Sequence, residues 1–156
     1  RAPLQLFQAI QGSLLPHLAG LNATEAGADE FSRAIRITIL AIAAFAGAVA
    51  LGLLTLGPWA MNVLFDDPFT YPRVGLTLVA VGMGAHLAAG TLNQAALARD
   101  RAGTAAACWL VVAIGFVAWM LSSVVEDELL RAEIGYASAS IALCAALSGV
   151  YHRSAG

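Results

Sequence analysis

The length of the apolar stretches is what most constrains this chain. Residues 37–57 form an uncharged apolar block. At about 1.5 Å per residue, a helix of this length crosses the hydrocarbon layer of a bilayer, which is about 30 Å thick. Similar blocks recur along the chain with short charged loops between them. The chain is 60% hydrophobic and only 12% charged, whereas soluble domains are about 25% charged. The pattern predicts an all-α, polytopic transmembrane helix bundle.

We predict about five spanning helices, and we expect the chain to be part of a longer protein because it starts without a methionine or a signal-peptide pattern. The loops should be polar: residues 22–36 form a loop or surface helix, and the acidic run 126–133 forms a short solvated loop. Gly57-Pro58 should break or bend the second span. The predicted spans are residues 2–21, 37–57, 74–98, 104–125 and 134–150.

The arginines give these spans an orientation, because short cytoplasmic loops are enriched in Arg and Lys. Arg99 and Arg101 follow the third span, in the run RDRAG, and set the topology. With that loop inside, alternation of five spans puts five arginines inside and three outside. We therefore expect a multi-pass protein of the bacterial cytoplasmic (inner) membrane with a cytoplasmic C-terminus. The inside set is Arg33, Arg36, Arg99, Arg101 and Arg153; the outside set is Arg1, Arg73 and Arg131.

A polar stripe on the first span contains the best candidates for a substrate cavity. Arg1, Gln5 and Gln8 share one face of a helix with a period of 3.6 residues. Polar groups inside a bilayer are costly unless they face protein or water. The stripe can line a hydrated cavity in which Arg1 meets an anionic group such as a pyrophosphate. Alternatively, Arg1 extends to the lipid headgroups and the glutamines bind neighbouring helices.

The third span carries a second polar face, formed by His86 and Asn93 together with Gly75, Gly82 and Gly90. Small residues at this spacing let helices approach closely, and polar ones add interhelical hydrogen bonds. We favour a packing face over the alternative, in which His86 titrates in an ion-coupled or proton-coupled cycle.

Catalysis has no support in the sequence, and we expect a protein that is not an enzyme. The chain contains no nucleophile–base spacing, no paired carboxylates within a span, no phosphate-binding glycine loop and no set of metal ligands. Cys108 and Cys144 lie in apolar blocks and read as small core residues. The net charge of −2 and the lack of a basic stripe argue against nucleic acid. No cofactor or metal is predicted.

Several short motifs resemble one family. The run R-x-P-x-x-x-x-x-A-x-x-x-x-L-L-P at residues 1–16, with Arg1, Pro3, Ala9, Leu14, Leu15 and Pro16, resembles an even-numbered helix of the polysaccharide exporters of the MOP superfamily (multidrug, oligosaccharidyl-lipid and polysaccharide transporters). Phe31 before the second span, Gly57-Pro58, and the run LFDDPF at 64–69 are similar to further family segments; Asp66 stands where the family usually has Gly. Residues 98–101 read A-R-D-R where the family turn is A-x-G-R.

This resemblance implies two related halves, of which our five spans would be the last five helices of about twelve. It implies a flippase that moves lipid-linked oligosaccharide or polysaccharide precursors across the membrane by alternating access. Its partners would be membrane lipids, the lipid-linked glycan and the preceding half of the same protein. The nearest alternative is a cation-coupled multidrug or small-molecule exporter of the same superfamily, which is expected to carry an Asp or Glu in a cavity helix; the five predicted spans contain none. A membrane-embedded assembly module that transports nothing is the third possibility.

Overall fold

The structure, a computed structural model, describes residues 25–64 and 72–153. This part of the chain is all-helical, and each of its four helices is long and apolar enough to cross a membrane. A helical membrane bundle is therefore confirmed for the described residues. The predicted first span, residues 2–21, lies outside them. The helices are α1 (Glu25–Leu64), α2 (Arg73–Ala98), α3 (Ala102–Leu121) and α4 (Glu128–Arg153).

Helix α1 is much longer than the predicted second span. Its 40 residues extend about 60 Å at 1.5 Å per residue. Residues 25–36 continue directly into the span because no glycine or proline stands between Asp29 and Phe45 to end the helix. The helix also runs through Gly57-Pro58, so the expected break is absent there. Within α1, the hydroxyls of Thr38 and Thr55 donate to the carbonyls of Ala34 and Leu51, which satisfies them in apolar surroundings.

The turn between α2 and α3 is a Schellman motif, in which two backbone amides cap the end of α2. The amide of Asp100 donates to the carbonyl of Leu97 at 3.0 Å, and that of Arg101 donates to Ala96 at 2.9 Å. Asp100 has φ 58, the left-handed conformation that glycine adopts most easily. Asp100 also occupies the glycine position of the A-x-G-R turn named above. The backbone thus keeps a glycine-type turn although the residue is aspartate.

Helix α4 starts earlier than expected, which corrects the prediction of a solvated loop at residues 126–133. Asp127 caps the helix, because its Oδ1 accepts hydrogen bonds from the amides of Leu129 (2.9 Å) and Leu130 (3.1 Å). The residues that follow are helical, and Glu133 is only 3% exposed. α3, in contrast, ends at Leu121, four residues before the predicted end of its span.

Helix α2 is the centre of the described bundle. It packs most extensively against α4 and α1, and α3 packs mainly against α4. Glycines permit these close approaches: a Cβ on Gly82 would lie 3.1 Å from the Cα of Ala137 in α4, and one on Gly84 would overlap Ala46 in α1. Gly75 and Gly82, with Glu133, Tyr136 and Ala137 opposite them, form what we call the α2–α4 seam.

The outer helices leave most of their apolar surface uncovered. Only 6% of the most apolar 18-residue window is buried in α1 and in α3, against 39% in α2. Large side chains such as Phe45, Leu51 and Val111 are about two-thirds exposed. Exposed apolar surface of this extent indicates contact with lipid or with further protein. A cluster of buried hydrophobic side chains, among them Phe31, Leu92 and Leu147, lies at the end of the bundle where α1 begins and where α2 and α4 end. We call this end of the bundle the arginine end, because Arg99 and Arg101 follow α2 there.

Candidate functional site

The candidate sites in the described residues are a cluster around His86, a groove at the arginine end, and a buried carboxylate at the opposite end. The predicted cavity residues Arg1, Gln5 and Gln8 lie outside the described residues, so their role stays a prediction. Among the described residues, no group of three or more His, Cys, Asp or Glu side chains is arranged to hold a metal ion.

His86 and Asn93, predicted to share a face of α2, both contact Trp109 of α3. The indole Nε1 of Trp109 donates to Asn93 Oδ1 at 3.1 Å. The His86 ring meets the Trp109 ring edge-on, with centroids 5.5 Å apart, and lies 6.4 Å from the ring of Tyr136 in α4. His86 and Asn93 therefore link α2 to α3 through Trp109, and His86 also links α2 to α4 through Tyr136.

The space beside His86 is a small apolar cavity. Its volume is about 160 Å³, and apart from His86 its walls are mainly aromatic and aliphatic, including Trp109, Phe116 and Leu143. Tyr136 and Ser140 each bring a hydroxyl group to its wall. The ring contacts of His86 with Trp109 of α3 and Tyr136 of α4 are interhelical contacts of the kind that a packing face makes.

The groove at the arginine end is larger and amphipathic. It lies between α1 and α4, with a volume of about 640 Å³. Ile35 and Leu92, each 2% exposed, form part of an apolar floor that continues along α1 through Ile39. Polar and basic side chains, among them Arg33 and Arg36, form its rim. We call it the α1–α4 groove.

Arg33 and Arg36 are exposed basic side chains at the rim of the groove that can bind an anion. They are three residues apart on α1, which places them on the same side of the helix. Both are exposed, and neither has an ion pair or a side-chain hydrogen bond within the described part of the chain. Asp29 and His152 also line the groove. Two guanidinium groups above an apolar floor match an anionic headgroup attached to a hydrocarbon chain.

The two arginines predicted to set the topology differ in their surroundings. Arg101 is exposed at the turn between α2 and α3. Arg99 is part-buried, and its guanidinium lies against two aromatic rings, 5.1 Å from the centroid of Phe31 in α1 and 4.2 Å from that of Tyr151 in α4. Arg99 thus has a structural role at the arginine end beyond the charge that the orientation rule counts.

Glu133 is the third polar site, at the end of the bundle where α2 and α4 begin. It is 3% exposed, and neither carboxylate oxygen has a hydrogen-bond partner among the described residues. The carboxylate is packed against Gly75, where an added Cβ would overlap it. A buried carboxylate without donors is costly. Its position therefore calls for a proton, a cation or donors from elsewhere in the protein.

Glu133 was not predicted as a site residue, because the acidic run 126–133 has the composition of a loop. One signal was available in the spacing: residues 133, 140 and 147 are seven apart, so on a helix Glu133 lies on the same face as Ser140 and Leu147, which are both buried. The partners of Arg99 carried no local signal, because Phe31 and Tyr151 are 120 positions apart in the chain.

The sequence matches no known protein family, and no curated protein or solved structure is similar to it. Its function is therefore inferred from the chemistry of its own residues, in the setting of a membrane-spanning bundle.

Proposed function

We propose that this chain is part of a flippase-type transporter that moves lipid-linked oligosaccharide or polysaccharide precursors across the cytoplasmic membrane. The observation that carries the proposal is the α1–α4 groove. A lipid-linked glycan precursor joins a long hydrocarbon chain to an anionic phosphate group, and the groove joins an apolar floor to Arg33 and Arg36, which have no ion pair within the described residues.

The position of the groove also suits this cargo. Arginines at the end of a span lie at the level of the lipid headgroups. By the orientation that the arginine count predicts, this end is cytoplasmic, where such precursors are assembled. The uncovered outer faces of α1 and α3 leave room for lipid and for the remaining helices of a two-half transporter.

Transport by the full-length protein in proteoliposomes tests this proposal. The cargo is a fluorescent sugar linked to polyprenyl pyrophosphate, and the variants are R33Q/R36Q and, as a matched control, R153Q. Arg153 is an exposed arginine at the same end that does not line the groove. A hydrogen bond to a charged group contributes about 1.5–3 kcal/mol, so loss of one arginine should slow transport at subsaturating cargo by about tenfold or more.

We expect R33Q/R36Q to lose nearly all transport and R153Q to remain within about twofold of the wild type, since an exposed charge that does not line the groove contributes little. The groove is not the cargo site if R33Q/R36Q transports at the wild-type rate when it is as abundant in the liposomes as the wild type.

Glu133 favours a second candidate, the cation-coupled exporter. From the sequence this alternative ranks behind the flippase, because no acidic residue lies within a predicted span. Glu133 now supplies a buried carboxylate without a partner in the described residues. Such a group, at the packed interface of α2 and α4, is suited to bind a proton or a cation during transport.

Two substitutions of Glu133 distinguish a role in ion coupling from a purely structural role. E133Q should abolish the dependence of transport on a proton or sodium gradient, whereas E128Q should not, because Glu128 is exposed in the first turn of the same helix. E133M should also raise the stability of the protein, because it replaces an unpaired buried carboxylate by an apolar side chain. Unchanged gradient dependence in E133Q would exclude Glu133 as the coupling site.

A further inference from the structure

The arginine end holds a contact that we call the Arg99 latch, formed by Arg99 of α2, Phe31 of α1 and Tyr151 of α4. The guanidinium contacts both rings, which stack with their planes 20° apart and their centroids 6.5 Å apart. Arg99 Nη1 also donates to the backbone carbonyl of Tyr151 at 3.1 Å. The Tyr151 hydroxyl in turn donates to Ser32 Oγ at 3.2 Å.

The latch joins two helices that otherwise stay apart. No Cα of α1 lies within 8 Å of a Cα of α4 in the described residues. Phe31 is fully buried, so its ring is held in place, whereas Ser32 beside it is exposed. The separation of α1 from α4 at this end is therefore fixed by side chains that can rearrange while each helix keeps its own packing on α2.

The latch also forms part of the wall of the α1–α4 groove. Ser32 and Tyr151 line the groove, and Arg99 lies behind Tyr151. A ligand in the groove lies beside Ser32 and Tyr151 as well as the rim arginines, and is therefore close to the latch. A phosphate group can offer Arg99 two charge-assisted hydrogen bonds, which are stronger than a contact with ring faces.

We propose that the Arg99 latch is a gate: it holds α1 and α4 together at the arginine end, and an anionic headgroup in the groove releases it by withdrawing Arg99 from the two rings. The inference rests on the proposed function, because it makes the gate respond to the same phosphate-bearing cargo. In the released state α1 moves away from α4 and the groove widens. A ligand that binds the open state more tightly than the closed one shifts the population in this way.

The test measures the distance between α1 and α4 by pulsed electron paramagnetic resonance on the full-length protein in nanodiscs of zwitterionic lipid. Spin labels replace Glu30 and Arg153, which are exposed on α1 and α4 near the latch, in a background without other cysteines. The variants are R99Q and Y151L, which remove the guanidinium or a ring. The matched controls are R101Q, which removes an exposed arginine two positions away, and Y151F, which keeps the ring.

For R99Q and Y151L, we expect a longer distance to become the main population, whereas R101Q and Y151F keep the wild-type distribution. Polyprenyl phosphate added to the wild type should produce the same longer distance, and neither the uncharged polyprenol nor inorganic phosphate should. If R99Q and Y151L do not fold, F31L and the lipid titration of the wild type give the same readout.

Equal distributions in R99Q and R101Q, or no response of the wild type to polyprenyl phosphate, would overturn the gate. These outcomes are separate from failure of the proposed function. If R33Q/R36Q transports normally but the latch still opens with polyprenyl phosphate, the gate stands and the assignment of the groove as the transport site fails.

Discussion

The glycine at position 82 should determine how closely α2 and α4 pack. Gly82 is buried in the α2–α4 seam, and a Cβ there would lie 2.8 Å from the ring of Tyr136 and 3.1 Å from the Cα of Ala137. Gly115 of α3 is the matched control, because a Cβ there would meet nothing within 4 Å. We predict that Gly82→Ala destabilises the bundle relative to Gly115→Ala.

The structure gives the size of the effect. Carbon atoms pack best at about 3.5 Å or more, so the new methyl group at residue 82 is too close by about 0.7 Å to a ring that can turn and by about 0.4 Å to a backbone that cannot. Overpacking of this kind costs about 1–3 kcal/mol. Both substitutions gain helix propensity of up to about 1 kcal/mol. That gain cancels in the comparison, which leaves a difference of about 1–3 kcal/mol.

Reversible unfolding in mixed detergent micelles, followed by circular dichroism, measures this difference. Gly115→Ala should be as stable as the wild type or slightly more stable, and Gly82→Ala should unfold at a lower denaturant fraction. Gly82→Leu should be worse again, because its larger side chain must displace the backbone of α4 further. Equal stabilities of the two alanine variants would show that α2 and α4 do not approach closely at Gly82, and the reasoning would be wrong.

Three further predictions test other parts of the bundle. Asp100→Gly should raise the stability by about 1 kcal/mol, because Asp100 has φ 58 and glycine adopts this conformation at less cost; a lower stability would contradict the turn geometry. The hydrogen bond from Trp109 to Asn93 should contribute about 0.6 kcal/mol to the stability of the protein. This contribution is measured as the coupling energy between Trp109→Phe and Asn93→Ala in a double-mutant cycle, and a coupling energy of zero would show that the bond is not formed. A cysteine that replaces Ala102, next to the turn, should react with an impermeant maleimide only from the cytoplasmic side. Labelling from outside would show that the predicted topology is inverted.

The helical membrane class follows from hydropathy alone, because a long apolar segment in lipid must satisfy its backbone hydrogen bonds internally, as a helix does. Hydropathy predicts the positions of the helix ends much less well. Hydropathy falls at residues 25–36, but nothing there breaks a helix, so α1 simply continues beyond the apolar layer. Pro58 in turn did not end the helix, since within a membrane the freed carbonyl can find other partners.

The candidate site was less accessible to sequence reasoning, because its parts come from distant segments. His86 and Asn93 were placed on one face of α2 by periodicity, and both meet Trp109. That Trp109 would be the shared neighbour depends on how α3 packs, which no local pattern shows. The α1–α4 groove likewise needs α1 to extend past its apolar segment, so that Arg33 and Arg36 stand beside α4.

Glu133 shows how a prediction based on hydropathy can place a buried acidic residue outside a span. An acidic residue lowers the hydropathy of a window, so the predicted span began at the next residue. The cap at Asp127 starts the helix earlier, and the helical register then carries Glu133 onto the buried face with Ser140 and Leu147. The lack of an acid within the predicted spans therefore does not argue against cation coupling. Because the groove and Glu133 lie at opposite ends of the bundle, one protein can use both, with cargo held at the arginine end and the coupling ion held at the α2–α4 seam.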